Sequence, residues 1–233
     1  MTRTSKSPKA VALVAYATAK RTLPPFSHLK SPKKFTQPQL VACLVLKEFF
    51  RTDYRGIIEI LLDSSDLQKV LELEEVPHYT TLQKAAKRFT NKRTITRLLR
   101  ETLAVATTSK VMKNTVALSA IDSTGLESHY TSSYFVRRRT RDTKEYENTY
   151  YNIQSIIPNR IGRPTTKLPS GKYRRIMALR FSKKLYGQRW MVETLNSMFK
   201  KRLGPFLRAR TYWSQMREMM LRLFSFNVLI LRY

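Results

Sequence analysis

The sequence has little of several residue types, and each scarcity excludes a class of protein. One cysteine, Cys43, rules out an intramolecular disulfide and suits a reducing compartment. The three histidines lack the spacing of a zinc site. No apolar run reaches the length of about 18 residues that a membrane span needs. With 42% hydrophobic residues and only six glycines in 233, the chain is expected to fold around a core.

Acidic residues are also scarce. The chain has 44 Lys and Arg against 16 Asp and Glu, which gives a net charge of +28. Such an excess predicts a polyanionic partner, most often nucleic acid, since the release of counterions from phosphates drives that binding. An anionic membrane surface or a ribosome is the alternative. The predicted location is cytoplasmic and nucleoid-associated, with no membrane partner.

The N-terminal half has the pattern of an all-helical region. Its first 47 residues contain no acid and nine Lys or Arg, so residues 1–35 are interpreted as a basic N-terminal arm that includes a short helix over 9–20. A transit peptide is the alternative for this composition. Residues 36–112 form the predicted helical region, where Thr36 is a candidate helix cap. Further helices are expected over 40–50, 54–62, 65–73, 80–89 and 92–108.

Two of these helices flank Pro77, and the second is basic. In that second helix Leu82, Ala85, Ala86 and Phe89 mark a buried face, whereas Lys84, Lys87 and Arg88 point largely outward. A helix pair with a basic second member resembles a helix-turn-helix DNA-binding region. Any helical bundle offers such pairs, so structural packing is the alternative.

The pattern changes at Thr115. Short β-rich runs at 116–122, 134–136 and 151–158 predict strands, and the first ends in Asp122. A buried carboxylate at a strand end is costly unless it is hydrogen-bonded or holds a cation. The second strand runs into the basic residues Arg137, Arg138 and Arg139. Helices over 182–203 and 211–231 follow, with Gly204 and Pro205 ending the first of them; the second is apolar enough to lie in the core.

The helix predicted over 182–203 carries Glu193. This is the only acid between Glu147 and Glu218, in a segment where residues 160–210 hold fifteen Lys or Arg. At about 100° per residue, Tyr186, Arg189, Glu193 and Lys200 share one face, and Met191, Val192, Leu195, Met198 and Phe199 lie opposite. One interpretation is a solvated face on which Arg189 and Glu193 pair. The other is a site for Mg²⁺ and DNA phosphate.

These residues resemble a known family. The spacing Tyr186-x2-Arg189-x3-Glu193-x6-Lys200, together with the segment 120–139 around Asp122, resembles the DD-E insertion-sequence transposases, which have an RNase H-like core. The resemblance covers most of 36–233. It implies that Asp122 and Glu193 are catalytic residues that bind Mg²⁺. It also implies that Tyr186, Arg189 and Lys200 contact DNA, and the neighbouring cations Arg137, Arg138, Arg139, Lys201 and Arg202 are assigned to DNA binding with them.

One departure from the family pattern changes the expected activity. The family places a second catalytic Asp on a middle strand, and this chain passes from 141 to 151 without such a segment. Asp142, Glu127, Glu145 and Glu147 are poor replacements. The expected fold is therefore α+β, with a helical N-terminal region followed by a truncated RNase H-like mixed sheet flanked by helices over 113–233.

The predicted function is that of a transposase-family protein for DNA transposition, which joins and cleaves DNA strands with Mg²⁺. Without the second Asp we expect a catalytically impaired remnant. The alternative is a non-catalytic DNA-binding protein or a repressor of an intact transposase. The expected partners are the terminal inverted repeats of a mobile element, and either a second copy of the chain or an intact transposase in a mixed oligomer.

Overall fold

The computed structural model describes residues 4–28, 30, 32–112, 127–128, 168, 171, 175–176, 178–179, 181–187 and 190–231. The chain divides into two compact units. Unit 1 contains residues 1–119, 125–130 and 198–233, and unit 2 contains residues 120–124 and 131–197.

The elements are mostly helices. In chain order they are α1 (Pro8–Thr22), α2 (Gln37–Phe49), α3 (Tyr54–Asp63), α4 (Ser65–Val70), α5 (Tyr79–Phe89), α6 (Lys92–Thr108), β1 (Glu127–Ser128), α7 (Lys183–Tyr186), α8 (Trp190–Leu203), β2 (Phe206–Leu207) and α9 (Tyr212–Ile230). The two strands pair in parallel, with Glu127 opposite Phe206 and Ser128 opposite Leu207.

The expected RNase H-like mixed sheet is wrong for the part of the chain that the structure describes. That part is mostly helical, and its only strands are the two-residue β1 and β2. The runs predicted as strands, 116–122, 134–136 and 151–158, lie outside the described residues. A short apolar run cannot be assigned to a strand by periodicity alone, because a buried helical segment gives the same pattern.

Helix α2 is central to the core of unit 1. All residues from Gln37 to Glu48 are buried, and α1, α5 and α9 pack against this helix. Thr36 caps it as predicted: the Thr36 hydroxyl accepts from the Gln39 amide, and the Gln39 side chain accepts from the Thr36 amide. Such a reciprocal cap satisfies two amides that the helix cannot bond internally.

Helices from both ends of the chain form one core. Helix α1, inside the segment predicted as a basic arm, packs on α2 and α6. Its buried residues include Val11, Val14 and the alanines Ala12, Ala15 and Ala19. Helix α9 packs on α1, α2 and α6 and buries Phe224, Phe226, Val228 and Leu229. The predicted burial of the last helix is therefore confirmed. Cys43 is buried in this core, and burial raises the pKa of its thiol to about 12.

The end of α8 also follows its sequence signals. Gly204 has φ +90 and its amide donates to the Lys200 carbonyl at 2.9 Å. This is the left-handed conformation that glycine adopts readily after the last turn of a helix. Pro205 follows, so the predicted helix end is confirmed.

Candidate nucleic-acid interface

Five of the residues predicted to act at a transposase site lie outside the described part of the chain. They are Asp122, Arg137, Arg138, Arg139 and Arg189. Their predicted roles stay predictions. Of the others, Tyr186 and Glu193 belong to unit 2, and Lys200, Lys201 and Arg202 belong to unit 1.

Tyr186 is half-buried at the end of α7. Its amide donates to the Ser182 carbonyl at 3.0 Å, and its ring lies 5.2 Å from the ring of Phe181. Gly187 follows in a 3₁₀ turn, and α8 begins at Trp190. Since residues 188 and 189 are not described, the predicted common face of Tyr186, Arg189, Glu193 and Lys200 is not established by these helices.

Glu193 is exposed in the first turn of α8. A carboxylate there is favoured by the positive end of the helix dipole, whatever its further role. Two of the apolar residues expected on a buried opposite face, Met191 and Leu195, are exposed by 45% and 40%, so the prediction is wrong for them. Later in the helix, Phe199 and Leu203 are buried.

The described residues do not complete a Mg²⁺ site. Of the two predicted ligands they include only Glu193, and within them no group of three His, Cys, Asp or Glu side chains could hold a metal ion. Two or more convergent carboxylates are what Mg²⁺ chemistry on phosphates uses. We therefore derive no metal-dependent step from this arrangement.

The three cations predicted to bind DNA at the end of α8, Lys200, Lys201 and Arg202, have different environments. Lys201 is exposed and Lys200 is partly exposed. The Arg202 carbonyl accepts a 2.8 Å hydrogen bond from Nε of Arg51, a residue with φ 52 in the turn between α2 and α3. The end of α8 is thereby attached to the helical core of unit 1.

Helix α5 presents the most regular basic surface among the described residues. Its apolar residues Leu82, Ala85, Ala86 and Phe89 are buried, as predicted. The opposite side forms a row that we call the α5 stripe, made of Thr80, Gln83, Lys84, Lys87 and Arg88. These positions recur at i, i+3, i+4, i+7 and i+8, the spacing of one helix face. All but the half-buried Thr80 are exposed, and the helix contains no acid.

The contacts of α5 fix its N-terminal end and one flank. His78 caps the helix, with Nδ1 accepting from the Thr80 amide at 3.4 Å. The Arg55 guanidinium lies 4.9 Å from the Tyr79 ring centre. Arg88 Nη1 donates to Ser27 Oγ at 3.3 Å and so ties the 26–35 loop to the stripe.

The 26–35 loop extends the basic surface. It contains Lys30, Lys33 and Lys34 and no acid, and all three lysines are exposed. A cavity of about 290 Å³ lies between this loop and α5; its wall includes Phe26, Phe35, Thr81 and Arg88.

The connection from α4 to α5 spans residues 71–78, which is longer than the turn of three to four residues in a helix-turn-helix. Helix α5 packs instead on α2 and α3.

Charge is segregated along this region. Residues 56–78 contain six exposed acids and one Lys or Arg, Lys69; the acids are Glu59, Asp63, Asp66, Glu72, Glu74 and Glu75. From residue 79 to 110 the balance reverses, with eight Lys or Arg and one acid, Glu101. The electrostatic potential that would attract a polyanion is therefore concentrated at α5 and α6.

A buried ionic cluster, which the sequence interpretation missed, holds the segment after α8. It consists of Lys47, Glu48, Glu218 and Arg222. Lys47 Nζ contacts Glu48 Oε1, Arg222 Nε lies 3.4 Å from Glu48 Oε2, and Arg222 Nη2 donates to Glu218 Oε1 at 2.6 Å. Lys47 and Glu48 interrupt an apolar run, which was the available signal. Their partners on α9 could not be identified from spacing.

The ionic cluster binds backbone as well as side chains. Glu218 accepts from the amides of Arg208 and Ala209 at 2.9 to 3.1 Å, and Arg222 Nη1 donates to the Gly204 carbonyl at 3.1 Å. Burial, together with the Glu48 and Glu218 carboxylates, raises the pKa of Tyr54 beside the cluster. Every charge in this cluster faces an opposite one, which is how charges are tolerated in a core.

Comparison of the chain with protein-family models, curated proteins and solved structures gave no match. Among the described residues, no helix has both the length and the apolar character required to cross a membrane.

Proposed function

We propose that this protein binds double-stranded DNA through the α5 stripe and has lost the strand cleavage of the transposases that its sequence resembles. The observation that carries the proposal is a row of amide and cationic side chains on one exposed face of α5, whose other face is fixed in the core. Gln bonds adenine edges, Arg and Lys bond guanine edges, and all three also bond phosphates.

The stripe has the dimensions and chemistry for a groove of DNA. A helix fits the major groove of B-DNA, and side chains spaced over two turns reach successive base pairs. Lys30 and Lys33 are exposed on the loop that Arg88 ties to the stripe, and they add positive charge for phosphate contacts. The third loop lysine, Lys34, is paired with Glu75. Nucleoid association and binding to the inverted repeats of a mobile element belong to this proposal.

The first test is a duplex-binding measurement at several salt concentrations. Replacing Lys84 and Lys87 by Ala is expected to weaken binding and to make the slope of log K against log salt shallower by about 2, since each phosphate contact contributes about 0.9. The matched control is the double variant Lys9→Ala and Lys69→Ala, which removes the same charge from exposed helical positions away from α5. Equal losses in both variants would show that α5 has no special part in binding.

A footprint on candidate element ends separates sequence reading from charge attraction. Gln83→Ala is expected to relax the preference for a specific sequence, because a lost base contact costs roughly 1–3 kcal/mol of discrimination. Protection that is spread evenly over the duplex, in the unmodified protein as well, would contradict base reading by the stripe.

The loss of cleavage is tested by Mg²⁺-dependent nicking of a supercoiled plasmid that carries the element ends. We expect no nicking above that of the Asp122→Ala and Glu193→Gln variants, because the family's second acidic ligand is missing from the sequence and one missing ligand removes much of the charge stabilisation of phosphoryl transfer. Cleavage that both variants abolish would establish a working transposase instead.

A further inference from the structure

Two large aromatic side chains are exposed to solvent at the start of α9. Trp213 is 72% exposed and Tyr212 is 59% exposed. Their rings lie 5.3 Å apart with an interplanar angle of 74°. We call them the aromatic pair. Tryptophan and tyrosine usually bury most of their surface, so two adjacent exposed rings mark a surface that contacts something else.

The surroundings of the aromatic pair are basic. Between Glu193 and Glu218 the chain contains six Lys or Arg and no acid. Arg217 follows Trp213 by four residues, so it lies on the same helix face. Its Nη2 donates to Ser214 Oγ at 2.9 Å, which keeps the guanidinium at the first turn. Glu218, the nearest acid, is occupied in the ionic cluster.

Several hydrogen bonds hold the chain on either side of the aromatic pair. The Arg208 and Ala209 amides bond Glu218, the Arg208 guanidinium donates to the Arg51 carbonyl, and Gln215 Nε2 donates to the Ala209 carbonyl at 3.1 Å. The segment that leads into the aromatic pair is therefore fixed on unit 1. A backbone that is already fixed beside the two rings loses little conformational freedom when a ligand stacks on them.

We infer that the aromatic pair is a stacking site for unpaired nucleotides of DNA. Bases without a paired partner expose a π face that stacks on Trp or Tyr, and the neighbouring arginines neutralise the backbone. A fully paired duplex hides its base faces and cannot use the rings in this way. The inference rests on the proposed function only in taking DNA as the polyanion; it does not require that α5 reads the duplex.

The test uses Trp213 as its own reporter. The chain has two tryptophans, so Trp190→Phe leaves Trp213 as the only one. We expect a fifteen-nucleotide oligothymidine to quench its fluorescence on binding, and a duplex closed by hairpins at both ends to bind with little quenching. Quenching that is equal for both ligands would overturn the inference.

Affinity measurements on variants supply the second readout. Trp213→Ala is expected to weaken oligothymidine binding by about 5- to 150-fold, the range for losing a base–aromatic stack, and to leave closed-duplex binding within about twofold. Trp213→Phe is expected to retain most of the affinity because it keeps a ring. The control is Leu223→Ala, which shortens an exposed apolar side chain on the same helix.

The outcomes separate this inference from the proposed function. If Lys84→Ala with Lys87→Ala leaves duplex binding unchanged but Trp213 is still quenched by single strands, the α5 proposal fails and the stacking site stands. If Trp213→Ala binds oligothymidine as tightly as the unmodified protein, or if Trp213→Phe loses as much affinity as Trp213→Ala, the stacking site is overturned whatever α5 does.

Discussion

Helices α5 and α8 have the same kind of sequence pattern but differ in how much of the apolar face is buried. Both were predicted from periodicity to bury one face and present polar residues on the other. Helix α5 buries Leu82, Ala85, Ala86 and Phe89 completely or nearly so. The first half of α8 leaves Trp190, Met191 and Leu195 exposed by 40% or more. An apolar stripe predicts burial only where other elements supply a surface to cover it.

The difference also separates two kinds of functional argument. The proposal for α5 depends on contacts of described residues: a buried face, a cap and a bond from Arg88 to Ser27. The proposal for Glu193 depends on the family spacing, because its expected partner Asp122 and its neighbour Arg189 are not described. Substitutions at the ionic cluster, at the packed faces of the two helices and at the helix caps test this contrast.

The largest effect is expected at the ionic cluster that attaches the segment following α8. Arg222→Ala should lower the free energy of unfolding by about 3–5 kcal/mol, because it removes the guanidinium that bridges Glu48 and Glu218 and leaves Lys47, which contacts Glu48, as the remaining cation of the cluster. Urea denaturation measures this. Arg217→Ala, one turn earlier and less buried, is the matched control, with an expected loss below about 1 kcal/mol. Equal losses in both would mean that the cluster does not stabilise this segment.

The second prediction compares the two helices directly. Leu82 on α5 is fully buried and Leu195 on α8 is 40% exposed. Leu82→Ala should cost about 2–5 kcal/mol through lost burial and the cavity it leaves, whereas Leu195→Ala should cost well under half as much. Urea denaturation measures the free energy of unfolding of both variants. A large loss at Leu195 would show that the face of α8 is covered and would remove the contrast.

The smallest effect is expected at the helix caps. Thr36 makes a reciprocal cap at α2, while Thr211 precedes α9 without a side-chain bond to its amides. Thr36→Ala should therefore destabilise the protein by about 1 kcal/mol, and Thr211→Ala by only a few tenths. Thermal melting resolves the first value. If the two variants have the same melting temperature, the Thr36 hydroxyl contributes no more to stability than the Thr211 hydroxyl, which bonds no amide of α9.

Local signals predicted the helices of the N-terminal region well. Thr36, the run from Leu40 and the periodicity of 80–89 and 92–108 act over a few residues, so they can be interpreted without knowing the fold. The buried and exposed faces of α5 followed from the same periodicity. The expected mixed sheet was wrong because short apolar runs carry little information about which segments pair with them, and strand pairing depends on contacts between distant residues.

The sequence by itself determined the net charge, the position and amphipathic face of α5, and the spacing of Tyr186, Arg189, Glu193 and Lys200, since each depends only on residue type and on local geometry. Only the tertiary structure decided that α1 and α9 share a core with α2, that Arg222 bridges Glu48 and Glu218, and that Trp213 stands in solvent beside Arg217. Those features depend on contacts between residues far apart in the chain, whose pairing is set by which surfaces pack together and not by any local pattern.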